Sequence, residues 1–109
     1  MEDITQYKNL KNKIIIITGG SQGIGKVIVE EFVKQEAYVN FLDIDKEGAM
    51  KLIQSLSSYK NIPTFHECDI TNNEKLAQVI TNIGEKNNCI DVLINNAAND
   101  QRHKIEEVD

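Results

Sequence analysis

Residues 18–25 read Thr-Gly-Gly-Ser-Gln-Gly-Ile-Gly, and a glycine run of this kind binds phosphate where a strand enters it and a helix leaves it. Both flanks fit. Lys13 to Thr18 is nearly all isoleucine, a β-branched run suited to a strand covered on both faces. From about Gly23 to Gln35, Ile24, Val27, Ile28, Phe32 and Val33 recur at helical spacing. Glycines at 19, 23 and 25 admit positive φ, let the main chain approach a diphosphate with no Cβ in the way, and bring the helix close to the sheet. Free N–H groups at the helix start, near Gln22 to Ile24, turn partial positive charge toward the phosphates. A plain tight turn is the competing reading, and the flanking strand and helix weigh against it.

Asp43 ends a second apolar run, eighteen positions beyond Gly25, where an acid accepts hydrogen bonds from an adenosine ribose. A carboxylate there repels a 2′-phosphate, so the residues favour NAD over NADP; Gln22 in the loop and the lack of an arginine near Asp43 point the same way. Asp45 is the rival for this role, and a solvated loop acid is the bland alternative. A second motif overlaps the first. Gly20 to Lys26 fits G-x-x-x-x-G-K, the phosphate loop of nucleoside triphosphatases, whose next residue is a hydroxyl that holds magnesium. Position 27 is valine, which leaves Lys26 as an exposed helix residue.

Elements that would position these residues alternate along the chain. After a polar leader over residues 1–12, strands are predicted at Lys13 to Thr18, Tyr38 to Asp43, Thr64 to Glu67 and Ile90 to Asn95. The first helix is followed by one over Lys46 to Ser58, with Ala49, Met50, Leu52, Ile53 and Leu56 on its apolar stripe. Another starts near Thr71 or Asn72 as N-cap and carries Leu76, Val79, Ile80 and Ile83, with Gly84 within a turn or so of its end. Lys104 to Asp109 resembles the opening of a further helix. Such alternation specifies an α/β fold, a parallel sheet of order 3-2-1-4 with helices on both faces. Ligands of these sheets bind beyond the strand C-termini, at the switch point between the first and fourth strands.

Taken together, these residues resemble the short-chain dehydrogenase/reductase family from about residue 10 to the end. The family's T-G-x-x-x-G-x-G matches Thr18 to Gly25, and its acid for NAD preference falls on Asp43. Its aspartate, aliphatic and hydroxyl triplet after the third strand matches Asp69-Ile70-Thr71, and its N-N-A-G appears as Asn95-Asn96-Ala97-Ala98, with alanine in place of the last glycine. The resemblance implies a partial Rossmann fold over residues 13–109, truncated before the catalytic half. It implies an NAD site made of Gly19, Ser21, Gln22, Gly23, Ile24, Gly25, Asp43, Ile44, Cys68, Asp69, Ile70, Asn95 and Ala97. Asp69 would contact the adenine amino group, with Cys68 and Ile70 lining the adenine pocket. Asn95 and Asn96 can tie the central strand to its neighbours through their amides. Residues 95–108 are similar to those of the sugar- and polyol-oxidising subgroup; Asp100, Arg102 and His103 either touch a polar substrate or belong to a solvated loop.

The family transfers hydride between NAD(H) and an alcohol or carbonyl compound, using a tyrosine acid/base, a lysine that lowers its pKa and a serine. A tyrosine of ordinary pKa near 10 is a poor base at neutral pH, so the lysine is indispensable. Tyr7 and Lys11 have Y-x-x-x-K spacing but precede the first strand, a chance match; Tyr38 and Tyr59 have no lysine at that spacing. No catalytic residue is therefore assigned, and this chain by itself is expected to bind without turnover. Two classes stay open: the cofactor-binding piece of an oxidoreductase, and a non-enzymatic nucleotide-binding or inert module.

Composition narrows the setting. The 109 residues suit one domain or part of one, and 40% hydrophobic, 27% charged and one proline exclude disordered and collagen-like chains. The longest apolar run, Ile14 to Ile17, is far too short for a membrane span. A net charge of −5 with scattered lysines gives no basic stripe, so neither nucleic acid nor membrane is expected as a partner. Met1 to Lys13, with acidic Glu2 and Asp3 and no apolar stretch, does not read as a secretory signal, so the expected address is cytoplasmic. Cys68 and Cys89 match no metal spacing and read as two buried, reduced thiols. The family is usually homo-oligomeric, and the uncovered edge of the fourth strand leads us to expect marginal stability or self-association.

Overall fold

The computed structural model describes residues 10–96. Strand β1, Ile14–Thr18, is buried along its whole length, as its unbroken β-branched sequence requires for a strand covered on both faces. Helix α1, Gly23–Lys34, leads to β2, Tyr38–Asp43; α2, Lys46–Ser55, leads to β3, Thr64–Glu67; and α3, Asn73–Asn87, leads to β4, Val92–Asn95. All three pairings are parallel and the sheet order is β3-β2-β1-β4, as the alternation of elements specified.

Two cores result. On one face Ile15, Ile17, Val39 and Phe41 meet Ile28, Val29, Phe32 and Val33 of α1 and Ala49 and Leu52 of α2. On the other, Ile14, Ile16, Leu42 and Cys68 meet Ile83, with Leu76, Val79 and Ile80 of α3 packed against them. Successive strand residues serve opposite cores, the period of two expected of a pleated chain.

Several expectations need correction. Ile24 and Val27 are 64% and 60% exposed; the buried stripe of α1 is Gly25, Ile28, Val29, Phe32 and Val33. Gly25 begins that face, pressed against the Gly19 carbonyl of the loop, and neither Ile24 nor Val27 shares it. Met50 is likewise 45% exposed. Helix α2 stops at Ser55, because the Leu56 N–H turns back to the carbonyls of Leu52 and Ile53 and tight turns carry the chain on to Tyr59. Strand β4 starts at Val92: Asp91 meets Ile14 twice, its N–H donating to the Ile14 carbonyl and its carboxylate accepting the Ile14 N–H, both at 2.8 Å. Cys68 is buried but Cys89 is exposed, so one of the two thiols faces solvent. Among the described residues, no helix is long and apolar enough to cross a membrane.

Candidate functional site

Registers bring the predicted site residues to one edge of the sheet. Thr18 is opposite Leu42 on one side and Asn95 on the other, while Asp43 is opposite Glu67. Thr18, Asp43, Asn95 and the chain after Glu67 therefore leave the sheet together at its C-terminal end, where parallel sheets bind ligands.

The glycine loop is held from both sides. Gly19 has φ 74°, and its N–H donates to the Leu42 carbonyl at 2.6 Å. Asn96 Nδ2 donates to the Gly19 carbonyl at 3.0 Å, and Thr18 Oγ1 donates to Asn95 Oδ1 at 2.9 Å, so the two asparagine amides do tie β4 to β1. A Cβ on Gly25 would overlap the Gly19 carbonyl and lie 2.7 Å from the Asn96 amide nitrogen. Gly23 differs: with φ +59° and nothing within 4 Å of a notional Cβ, it is needed for its backbone angle and faces open space.

Helix α1 begins with unusual openness to an anion. Its N-cap, Gln22, gives it no side-chain bond, and its first turn carries no acid. Uncapped N–H groups at a helix start are a ready partner for phosphate. The Ser21 hydroxyl is buried without a hydrogen-bond partner, a state that costs about 1–3 kcal/mol unless a ligand oxygen supplies the bond. An orphan hydroxyl, an uncapped helix and a loop with glycine at 19, 20 and 23 together fit a diphosphate nucleotide.

Asp43 is pre-aimed. One carboxylate oxygen accepts the Ser21 N–H at 3.1 Å, the other the N–H groups of Ile44 at 2.7 Å and Asp45 at 3.2 Å. Asp45, the rival acid, is engaged otherwise: it caps α2 through the Gly48 N–H at 2.9 Å and accepts the Gln22 amide at 2.7 Å. The Gln22 amide, then the Gly48 N–H, hold its carboxyl below the ordinary carboxylate range. Ile44, at 65% exposure, lies open beside them.

Cys68 closes the floor next to Asp43, its N–H donating to the Asp43 carbonyl at 3.0 Å; burial pushes its thiol pKa up, so the neutral form persists. Asp69 is exposed and accepts both the hydroxyl of Thr71 at 2.6 Å and its N–H at 3.0 Å, which hold its carboxyl below the usual range. Both bonds fall on Oδ1, so Oδ2 is open to an amino group. Ile70 is half-buried next to it. Ala97, and with it Ala98, Asp100, Arg102, His103 and Tyr7, lies outside the described residues. Two contributors were not anticipated: the Thr18 hydroxyl, whose partner is visible only once β1 and β4 are in register, and Asp45 as the anchor of Gln22.

Comparison with known proteins bears on the family and the fold. The model of the short chain dehydrogenase family matches residues 13–109. D-xylose 1-dehydrogenase of Caulobacter vibrioides is 41% identical over 102 residues, which are 94% of this chain and 40% of that protein. A probable galactose dehydrogenase of Rhizobium meliloti is 33% identical over 105 residues, 95% of this chain and 41% of that protein. The crystal structure of an NADH-dependent reductase complexed with NAD superposes with a TM-score of 0.70 at 31% identity, covering 80% of this chain and 36% of that one. The chain thus spans about two-fifths of the length of the curated relatives it matches.

Proposed function

The chain belongs to the short-chain dehydrogenase family, whose members bind a nicotinamide nucleotide, and we propose that residues 13–109 are the adenosine- and diphosphate-binding part of an NAD-dependent dehydrogenase. The observation that carries this reading is the Asp43 carboxylate, aimed by three main-chain N–H groups at the end of β2. A fixed anion there accepts a ribose diol and repels a 2′-phosphate. Loop N–H groups and the Ser21 hydroxyl would hold the diphosphate, Cys68 and Ile70 would line the adenine, and Asp69 Oδ2 would take its amino group. Ala97 is proposed on the ribose side of the same site. When bound, the nicotinamide supplies hydride acceptance from an alcohol carbon.

Aldoses are the proposed substrate class of the longer protein, supported by the two sugar dehydrogenases among its relatives. Residues 96–109 contain neither serine nor tyrosine, so the 109-residue chain alone is proposed to bind nucleotide without turning it over. The reading frame beyond the Asp109 codon bears on the parent's activity: continuation into a serine and Tyr-x-x-x-Lys supports the dehydrogenase, and its absence leaves a nucleotide-binding module.

Calorimetric titration with NAD, NADP and ADP-ribose tests the binding reading. NAD and ADP-ribose are expected to bind alike and NADP at least about tenfold more weakly, a charge-assisted contact being worth about 1.5–3 kcal/mol. Asp43→Asn should remove most of that discrimination. Equal affinity for NADP would overturn the NAD preference, and NADH formation from NAD and aldoses at an enzyme-like rate would overturn the claim of no turnover.

A further inference from the structure

A second pocket, of about 250 Å³, opens between α3 and the first halves of β2 and β3. Register separates it from the nucleotide site: Asn40, in its floor, pairs with Thr64 and lies three residues before Asp43. At about 3.3 Å per residue, that is about 10 Å from the nucleotide end of the strand. The lining is two-sided, with Val79 and Ile83 of α3 on the apolar side and Asn40, His66, Asn82 and Lys86 on the polar side.

The hydrogen bonds orient the imidazole and select the tautomer of its neutral form. Asn40 Nδ2 donates to the Ile15 carbonyl at 3.5 Å, so Asn40 Oδ1 is the acceptor toward His66 Nε2 at 3.0 Å. The His66 proton is then on Nε2, and Nδ1 keeps its lone pair. Lys86 is the one side chain of fixed charge in the lining, and no carboxylate shares the pocket with it, although the whole chain carries −5. Such a site offers positive charge, amide donors and a short apolar wall.

We propose that this pocket binds a small carboxylate with a short aliphatic chain, its charge against Lys86 and its carbons against Val79 and Ile83. The volume is below the roughly 300–1,000 Å³ of typical ligand pockets, which suits a molecule of a few carbons. Binding also engages His66. Burial, and then Lys86, hold the empty ring toward its neutral form; an anion beside it favours protonation. The other ionisable lining residue is Tyr38 of β2, while Glu67, the next residue of β3, has its side chain on the opposite face. Ligand and proton are thus taken up together, and by reciprocity the affinity rises as pH falls through the His66 titration.

The test follows the His66 ring C–H resonances by NMR in the full chain, titrated with n-butyrate and, at matched ionic strength, with inorganic phosphate. Butyrate is expected to shift them saturably and to raise the His66 midpoint, each unit of rise matching about tenfold tighter binding at low pH. Lys86→Gln, an exposed helix position, should weaken butyrate about two- to fivefold while keeping the native backbone amide pattern, with the unliganded His66 midpoint moved up because the lysine charge beside it is gone. The proposal is overturned if no saturable shift occurs, if the Lys86 variant binds butyrate as well as the parent, or if phosphate reproduces the shift, which would reveal charge attraction alone.

Discussion

Gly25 shows how one missing atom joins fold and site. Its Cα is the point where α1 touches the loop carbonyl of Gly19, and the Asn96 amide fills the rest of the space. Gly25→Ala is therefore expected to cost about 1–3 kcal/mol of stability, the range for overpacking a tight contact, and to displace the loop N–H groups that would face a diphosphate. Gly23→Ala meets no neighbour, so its penalty is the backbone strain at φ +59°, about 1–2 kcal/mol. Urea unfolding of both variants, with NAD calorimetry alongside, separates the two causes. A Gly25→Ala protein as stable as the parent would refute the close-contact account. Asp43 and Asp45 form a similar contrast: the same residue type two positions apart, one oriented by the glycine loop and one spent on capping a helix.

Helix α3 stands on that kind of cap. Asn72 Oδ1 accepts the Lys75 N–H at 3.1 Å, and Asn88 ends the helix in the left-handed conformation at φ 68°. Asn72→Ala is expected to lower stability by about 1 kcal/mol, seen in a circular-dichroism melt as a fall in Tm of roughly 4–8 °C. That cap, narrowed to Thr71 or Asn72, the strand order and the glycine loop were legible from residue type and spacing, because each depends on local chemistry repeated along the chain. What was not legible depends on faces and registers. Ile24, Val27 and Met50 match a helical period yet point to solvent, since a period names a stripe without saying which side meets the sheet. Cys89 seemed buried by residue type, but it follows the turn after α3, where the chain is at the surface. The Thr18–Asn95 bond spans 77 positions, a contact that local reading cannot supply. The Asn40–His66 pair was equally invisible until β2 and β3 were set side by side.

For the whole molecule, His66 links stability to acidity. Burial lowers its pKa in the folded chain below 6.5, the value it regains on unfolding, so the unfolded state binds more protons in the interval between. Its contribution is complete above 6.5 and is lost as pH falls through that interval. Urea midpoints measured at about pH 7.5 and about pH 5.5 should fall for the parent and fall less for His66→Gln. Asp45 and Asp69, both depressed, add losses below 3.8. The sheet edges have a separate effect. Neither β3 nor β4 has an outer neighbour among the described residues, and Leu93 is 53% exposed. Sedimentation velocity is expected to show concentration-dependent association, which Leu93→Lys should reduce; a monomer at all concentrations would contradict this. The pairing of Ile15 with Val92 has a consequence for biosynthesis. The central strand leaves the ribosome first, yet its second neighbour is made 77 residues later, so the carbonyl of Gly19 has no Asn96 to hold it while the chain is still growing. Nascent chains arrested before Val92 has emerged would thus have an unclosed loop, and nucleotide could act on this protein only after β4 is in place.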